Sequence, residues 1–232
     1  NVSGQVGDAT NKLKEINANG IAGKTVTFEK DVYATNTNIG AGTVDFNTIS
    51  GNTNSNIVFA DTGTANLNGN LIGNIDFKGK DAVVNVANGK GILGSVQTLA
   101  TNNTGILNYE GNGTIDGNIG SIGLGIRELN INTNNQQNSG GTGVVVVGYD
   151  ALARELYADV VNLRNNATIT LKDNVNLINT GTDNNIIKVD VGNTGKITFL
   201  GDSNIEGEVG ESTKAVNIIN AGATGKTVTF DD

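Results

Sequence analysis

The chain has 232 residues and a formal net charge of −8, and it contains no cysteine and no histidine. These absences exclude disulfide bonds, zinc sites built from cysteine or histidine, and nucleophilic catalysis through Cys-His or Ser-His pairs. The acidic balance disfavours a nucleic acid partner, because phosphate binding requires a clustered basic surface.

Short apolar alternations, bounded by Gly, Asn, Asp and Thr, follow one another along the whole chain. Each has the length and pattern of a β-strand. We predict strands at 25–28, 43–46, 56–59, 74–77, 82–86, 92–96, 105–109, 113–119, 143–147, 159–163, 167–171, 174–178, 186–191, 196–200 and 216–219. Asn-Gly and Asp-Gly pairs, which suit turns with positive φ, lie between them at 19–20, 68–69, 88–89, 112–113 and 116–117.

The segment 150–163 carries two competing patterns. Leu152, Leu156 and Val160 are spaced four residues apart, as on one side of a helix. The same segment contains Arg-Glu-Leu, a phrase that recurs elsewhere in strand context. We therefore interpret it as a strand.

Three phrases are repeated at unequal intervals. The first is [KR]-E-[IL]-N or a close variant, the second is G-x-[VI]-G, and the third is G-K-T-V-T-F, repeated without change. Internal self-similarity indicates an array of similar units, and a solenoid with coils of variable length tolerates unequal spacing. The copies begin at residues 14, 127, 154 and 214 for the first phrase, at 4, 117 and 207 for the second, and at 23 and 225 for the third.

Two all-β architectures could use such segments: an antiparallel sandwich and a parallel β-helix. The absence of Pro, the abundance of Asn and Thr, the small apolar residues and the self-similarity favour the parallel β-helix, or β-solenoid. Asn side chains can form ladders along such a rod and bond to neighbouring backbone. At roughly 20–25 residues per coil, residues 1–232 would form one segment of about ten coils, about 45–50 Å long.

The stretch 133–142 is the clearest polar interruption of the pattern, and we predict a protruding loop there. Loops on a rigid scaffold commonly carry binding specificity. The candidate binding residues are Asn134, Asn135, Gln136, Gln137 and Asn138.

The repeated phrases, together with segments such as 105–115 and 195–201, resemble the passenger regions of the rickettsial outer-membrane surface antigens, the autotransporter family that includes outer membrane proteins A and B. The resemblance implies a right-handed β-helix exposed on a bacterial surface. It also implies that the segment belongs to a longer passenger, anchored through a C-terminal barrel domain that is absent here. Adhesion to host cells is the function that the resemblance implies.

Polysaccharide-acting enzymes with the β-helix fold need clustered acids, often with calcium. The best acidic cluster in this chain comprises Glu206, Glu208 and Glu211, and a strand would place the first two on one side. The positions corresponding to this cluster in the other copies drift in polarity, which is typical of an exposed surface. We therefore expect no catalysis, no cofactor and no metal, and keep the three glutamates as weak candidates for a metal site.

The Lys-Glu and Arg-Glu pairs at 14–15, 127–128 and 154–155 have a structural interpretation. Neighbouring residues in a strand point to opposite sides, so the two members of a pair should not contact each other. We predict that one member faces solvent and the other meets a neighbouring coil.

These observations predict a non-catalytic adhesin segment at the bacterial cell surface, with a host-cell surface protein as partner. A structural coat protein, whose rods make lateral contacts with neighbouring passengers, is the alternative. A carbohydrate-active β-helix enzyme is the third hypothesis. We expect no nucleic acid partner and no membrane-spanning segment, since the longest apolar run is only Val144 to Val147.

Overall fold

The computed structural model describes residues 1–47, 51–134, 143–148 and 152–231. These residues form 24 β-strands, and no helix of any kind occurs among them. All pairs between the named strands of the described residues are parallel. Each strand lies beside its equivalent from the next coil. The parallel β-helix predicted from sequence is confirmed.

Ten strands are linked in one continuous series of paired neighbours. They are β1 (Leu13–Ala18), β3 (Val32–Ile39), β5 (Asn52–Phe59), β7 (Asn70–Ile72), β10 (Lys90–Leu93), β13 (Gly113–Ile115), β15 (Val144–Val147), β17 (Thr168–Leu171), β20 (Thr194–Phe199) and β23 (Val216–Asn220).

Ten further strands are linked in a second series of paired neighbours. They are β2 (Thr25–Phe28), β4 (Thr43–Phe46), β6 (Thr64–Leu67), β9 (Val83–Val86), β12 (Ile106–Tyr109), β14 (Ile126–Ile131), β16 (Arg154–Leu163), β18 (Val175–Asn179), β21 (Ser203–Glu206) and β24 (Val228–Asp231). Four short strands complete the set: β8 (Ile75–Asp76), β11 (Val96–Gln97), β19 (Asn185–Val189) and β22 (Glu208–Val209).

The long strands bend around corners, so each coil has three faces. The start of β5 pairs with β7 while its end pairs with β8. In the same way, the start of β16 pairs with β18 while its end pairs with β19. The face that begins with β2, β4, β6, β9 and β12 and continues through the ends of β14 and β16 is called the asparagine face below. The face formed by β13, β15, β17 and β20 is called the threonine-valine face.

The core is a set of stacked columns, because every second residue of a strand points inward. On the asparagine face one inward column holds the rings of Phe28 and Phe46, whose centroids lie 5.6 Å apart. Burying each such side chain stabilises the fold by roughly 1.5–3 kcal/mol. In register, this column reads Phe28, Phe46, Leu67, Val86, Tyr109, Ile131, Leu163 and Val189.

Asparagines at the corners join each coil to the next. The Oδ1 atom of Asn74 accepts a hydrogen bond from the backbone N–H of Ser95 at 2.8 Å, one coil further on. Such bonds satisfy backbone donors that a tight corner leaves without a strand partner. The same bond is made by Asn56, Asn70, Asn88, Asn102, Asn112, Asn166 and Asn176.

The three G-x-[VI]-G units are corner turns. Their last glycines, Gly7, Gly120 and Gly210, have φ of 68°, 66° and 80°, values at which a side chain would be strained. Each is followed by a tight turn, closed for example by the Ser121 N–H on the Leu124 carbonyl at 3.0 Å. The strands that follow these turns, β1, β14 and β23, do not lie on one face of the rod. The repeated unit is therefore a corner rather than a whole coil, which explains the unequal spacing of the copies.

Candidate functional site

The asparagine face carries a continuous ladder of side-chain amides. Asn66 donates through Nδ2 to Asp45 Oδ1 at 2.6 Å, and Asn85 donates to Asn66 at 2.8 Å. The ladder continues from Asn108 to Asn85, from Asn130 to Asn108 and from Asn162 to Asn130, at 2.9, 2.9 and 2.8 Å. All the amides point the same way along the rod. Their partial charges align, and the carboxylate of Asp45 lies at the donor end, where a negative charge is favourable.

The ladder is the centre of a flat array three residues wide. Alternate residues of β4, β6, β9 and β12, with the residue after each strand, point outward and are half-buried. We call these four rows the asparagine platform. They are Thr43, Asp45 and Asn47; Thr64, Asn66 and Asn68; Val83, Asn85 and Ala87; and Ile106, Asn108 and Glu110.

Each central amide of the platform retains hydrogen-bonding capacity. A carboxamide has two N–H donors and an oxygen with two lone pairs. Within the described residues, the side chains of Asn66, Asn85 and Asn108 bond only along the ladder, which uses one donor and one lone pair of each. One N–H and one lone pair therefore remain at each of these rows for an external ligand.

The platform ends where Asn130 is covered. Both Nε and Nη2 of Arg164 donate to Asn130 Oδ1, at 3.3 and 3.1 Å, and Asn130 donates to Glu128 Oε2 at 3.0 Å. Asn130 is consequently 3% exposed. The accessible part of the ladder runs from Asp45 to Asn108, which at the strand spacing is about 14 Å.

The predicted loop begins at the edge of this face. The corner between β12 and β13 needs only residues 110–112, whereas residues 132–143 lie between β14 and β15. A Cβ added to Gly143 would come within 2.5 Å of the Asn132 Cβ, so the two ends of the insertion touch. Asn134 is exposed, and Asn135, Gln136, Gln137 and Asn138 lie outside the described residues.

The acidic candidates are placed separately. Glu206 lies on β21 and Glu208 on β22, while Glu211 follows in the corner turn. Glu208 Oε2 accepts from Asn185 Nδ2 at 3.2 Å, and Glu211 Oε1 lies 3.8 Å from Lys188 Nζ. Across the described ranges, no three acidic side chains come close enough to share a metal ion. This arrangement gives no support to the metal site or to the enzyme hypothesis.

The Arg-Glu pair at 127–128 departs from its prediction. Arg127 does reach another coil, where Nη1 lies 2.7 Å from Asp81 Oδ1, but its Nε also lies 3.8 Å from Glu128 Oε1. The two residues are both half-buried, because the inward-outward alternation is interrupted as β14 bends. In the third copy Arg154 Nε donates to the Asp116 carbonyl at 2.6 Å, so this arginine meets the preceding coil as predicted.

Arg127 and Glu128 belong to a larger group of charged side chains, which continues into the next coils. Burial and, after it, the charge of Asp183 raise the pKa of the Asp159 carboxyl above its ordinary value. Asp183 itself accepts a hydrogen bond from Lys188 Nζ at 2.6 Å, and this bond lowers the pKa of Asp183 and raises that of Lys188. Arg127 and Lys188 thus lie among five carboxylates, those of Asp81, Glu128, Asp159, Asp183 and Glu211.

The residue pattern predicted asparagine ladders in general, but not the position of this one. Its signal is a triplet in which Asn stands between two apolar residues, once in each coil. The triplets are 65–67, 84–86, 107–109, 129–131 and 161–163.

The fold and the site define an all-β, rod-shaped scaffold with an amide-lined face. No protein-family model, no curated protein and no solved structure matches this chain. The part of the chain that the structure describes contains no helix able to cross a membrane.

Proposed function

We propose that this chain is a segment of a surface-exposed bacterial passenger protein and that it attaches to host cells. One observation carries the proposal: the rod has a flat, half-exposed, hydrogen-bonding platform with a twelve-residue insertion starting at its edge, next to Asn130. In the other coils the connection at this corner is short. The one long connection therefore lies where a loop could bind a ligand together with the neighbouring platform.

The resemblance to rickettsial surface antigens supports the location of this segment on the outer surface of a bacterium. The chain's chemistry is compatible with that location, since a rod without cysteine depends on packing and ladder hydrogen bonds rather than on disulfides. Its partner would be a component of the host-cell surface.

Binding of the purified chain to cultured mammalian cells tests the proposal. A β-helix of unrelated origin and matched net charge serves as the control. We expect saturable binding that an excess of unlabelled chain competes away. Binding no stronger than that of the control would overturn the proposal.

Replacing residues 134–142 by a Gly-Ser segment of equal length tests the loop. The ends of the insertion are held by the scaffold, since Asn132 Nδ2 donates to the Asn165 carbonyl at 3.2 Å and Thr168 N–H donates to the Gly143 carbonyl at 2.9 Å. We expect unchanged thermal stability and reduced cell binding. A Gly-Ser replacement of the largely exposed residues 221–224 is the control. Undiminished binding after the first replacement would remove the loop from the proposal.

A coat protein is a second candidate, because the threonine-valine face suits lateral contact. Apart from Lys196, its outward residues are β-branched and uncharged. Uncharged flat surfaces of this kind associate more readily than charged ones. Concentration-dependent sedimentation that Val146→Lys abolishes would favour the coat. The residues concerned are Thr114, Val144, Val146, Thr168, Thr170, Lys196 and Thr198.

A further inference from the structure

We propose that the asparagine platform binds a neutral, extended, linear glycan, with one sugar ring over each coil. The inference rests on the proposed function, because it assigns a chemical class to the ligand of the same surface. It concerns the platform and not the insertion at 132–143.

The first argument is periodicity. Rows of the platform repeat at the strand spacing of about 4.8 Å, and each of the three rows that carry Asn66, Asn85 and Asn108 offers one unused donor and one unused acceptor. A linear polymer can satisfy such an array only if its own donors and acceptors recur at nearly the same distance. Extended chains of β-linked pyranose rings meet this condition, since each ring carries hydroxyl groups on its edges and advances by close to one strand spacing.

The second argument is the composition of the neighbouring column. Thr43, Thr64, Val83 and Ile106 form a half-exposed strip of methyl groups beside the amides. A pyranose ring has the complementary arrangement, with apolar C–H groups on its face and hydroxyl groups at its edge. The strip can thus receive ring faces while the amides receive the hydroxyl groups.

The third argument is charge. The two central rows of the platform carry no charge, and acids stand only at its ends, at Asp45 and Glu110. Both ends would repel sulfated or carboxylated glycans, as would the net charge of −8. A neutral polymer pays no such penalty. About 14 Å of accessible ladder corresponds to a ligand of three or four rings.

The test measures binding of neutral β-linked glucose and N-acetylglucosamine oligosaccharides, from disaccharide to hexasaccharide, to the whole chain by calorimetry. We expect affinity to rise about 3- to 10-fold per added ring, as one or two additional net hydrogen bonds would give, and to level off beyond four rings. A heparin-derived oligosaccharide should bind more weakly than the neutral series. Absence of binding by the whole neutral series, or affinity that does not depend on length, would overturn the proposal.

Two variants locate the site. Ile106→Glu places a charged side chain over the platform without touching the ladder, and Thr170→Glu makes the same change at an outward position of the threonine-valine face. We expect the first to weaken oligosaccharide binding at least 10-fold and the second to leave it unchanged, with both variants retaining the parent's circular dichroism spectrum. Equal effects of the two substitutions would contradict the assignment to the platform.

Cell binding separates this inference from the proposed function. If soluble hexasaccharide competes with attachment and Ile106→Glu reduces it, both proposals are supported. If the chain attaches to cells but neither treatment has an effect, the glycan proposal fails while the attachment function stands. If the oligosaccharides bind but the chain does not attach to cells, the attachment function fails alone.

Discussion

The asparagine platform and the threonine-valine face are built on the same backbone but present opposite surfaces. Under both, inward residues such as Leu107 and Ile169 are fully buried. On the platform, the outward side chains bond to one another from coil to coil, whereas Thr170 and Val146 make no side-chain hydrogen bonds in the described residues. In the β-helix every second residue must be able to pack in the core, whereas the core does not restrict the type of the outward residues. Surface chemistry can therefore change from face to face without altering the coil.

The largest expected effect comes from the shared interior. Leu107→Ala, below the platform, and Ile169→Ala, below the threonine-valine face, should each lower the free energy of unfolding by about 2–5 kcal/mol, since each leaves a cavity in a packed column. Urea unfolding measures both. Similar losses would show that the two faces share one kind of core, while a loss below about 1 kcal/mol for either variant would contradict that view.

A smaller effect distinguishes the two surfaces. Asn85→Ala removes the donor to Asn66 and the acceptor for Asn108, so we expect a loss of about 1–3 kcal/mol. Thr170→Ala, at an outward position without such bonds, should change stability by less than about 0.5 kcal/mol. Thermal unfolding of the two variants side by side makes the comparison. Equal losses would mean that the ladder adds nothing to the rod's stability.

The smallest effect concerns Asp159, one of the carboxylates near Lys188 and Arg127. The pKa of Asp159 in the folded chain is raised above 3.8, so its contribution to stability is present at acid pH and is lost as pH rises through the raised value. Asp159→Asn should therefore be more stable than the parent at neutral pH, by less than about 1 kcal/mol because solvent screens this partly exposed group. The advantage should disappear as pH falls below 3.8.

Asp183→Asn is the matched control for this prediction. Its bond to Lys188 lowers the pKa of Asp183 in the folded chain, so its contribution is present above 3.8 and is lost as pH falls through the lowered value. The variant should be less stable than the parent at neutral pH and equal to it in acid. If both substitutions shifted the melting temperature in the same direction at neutral pH, the pKa assignments would be wrong.

Strands with apolar alternation were predictable, and several of those predicted, such as β2 and β4, have the same bounds in the structure. The strand interpretation of the ambiguous segment is confirmed for its residues 154–163, which form β16. The predicted ranges left out eight strands, β1, β3, β6, β7, β14, β21, β22 and β24. Four of them, β3, β6, β7 and β21, contain Asn, Thr or Ser where an apolar alternation was sought. Inside β3 and β6 small or polar residues occupy inward positions, for example Thr37 and Ala65, so the apolar period is weak.

The turn predictions show the limit of local patterns. Of the five glycines in Asn-Gly and Asp-Gly pairs, only Gly89 has a positive φ. Gly113 begins β13, where a Cβ would lie 2.2 Å from the ring of Tyr109. This glycine is required by the packing of the Tyr109 ring across the corner between β12 and β13. Nothing in the residues beside it reveals that requirement.

The sequence by itself determined the class of fold, because short apolar alternations, corner phrases and the absence of Pro are properties of neighbouring residues. Only the tertiary structure decided which outward residues meet. Asn66, Asn85 and Asn108 are separated by about one coil each, and coils differ in length: Thr53 pairs with Leu71, but Ile115 pairs with Val147. A ladder forms only where the register between coils places identical side chains next to one another. That register is set by the packing of the buried columns and not by distance along the chain.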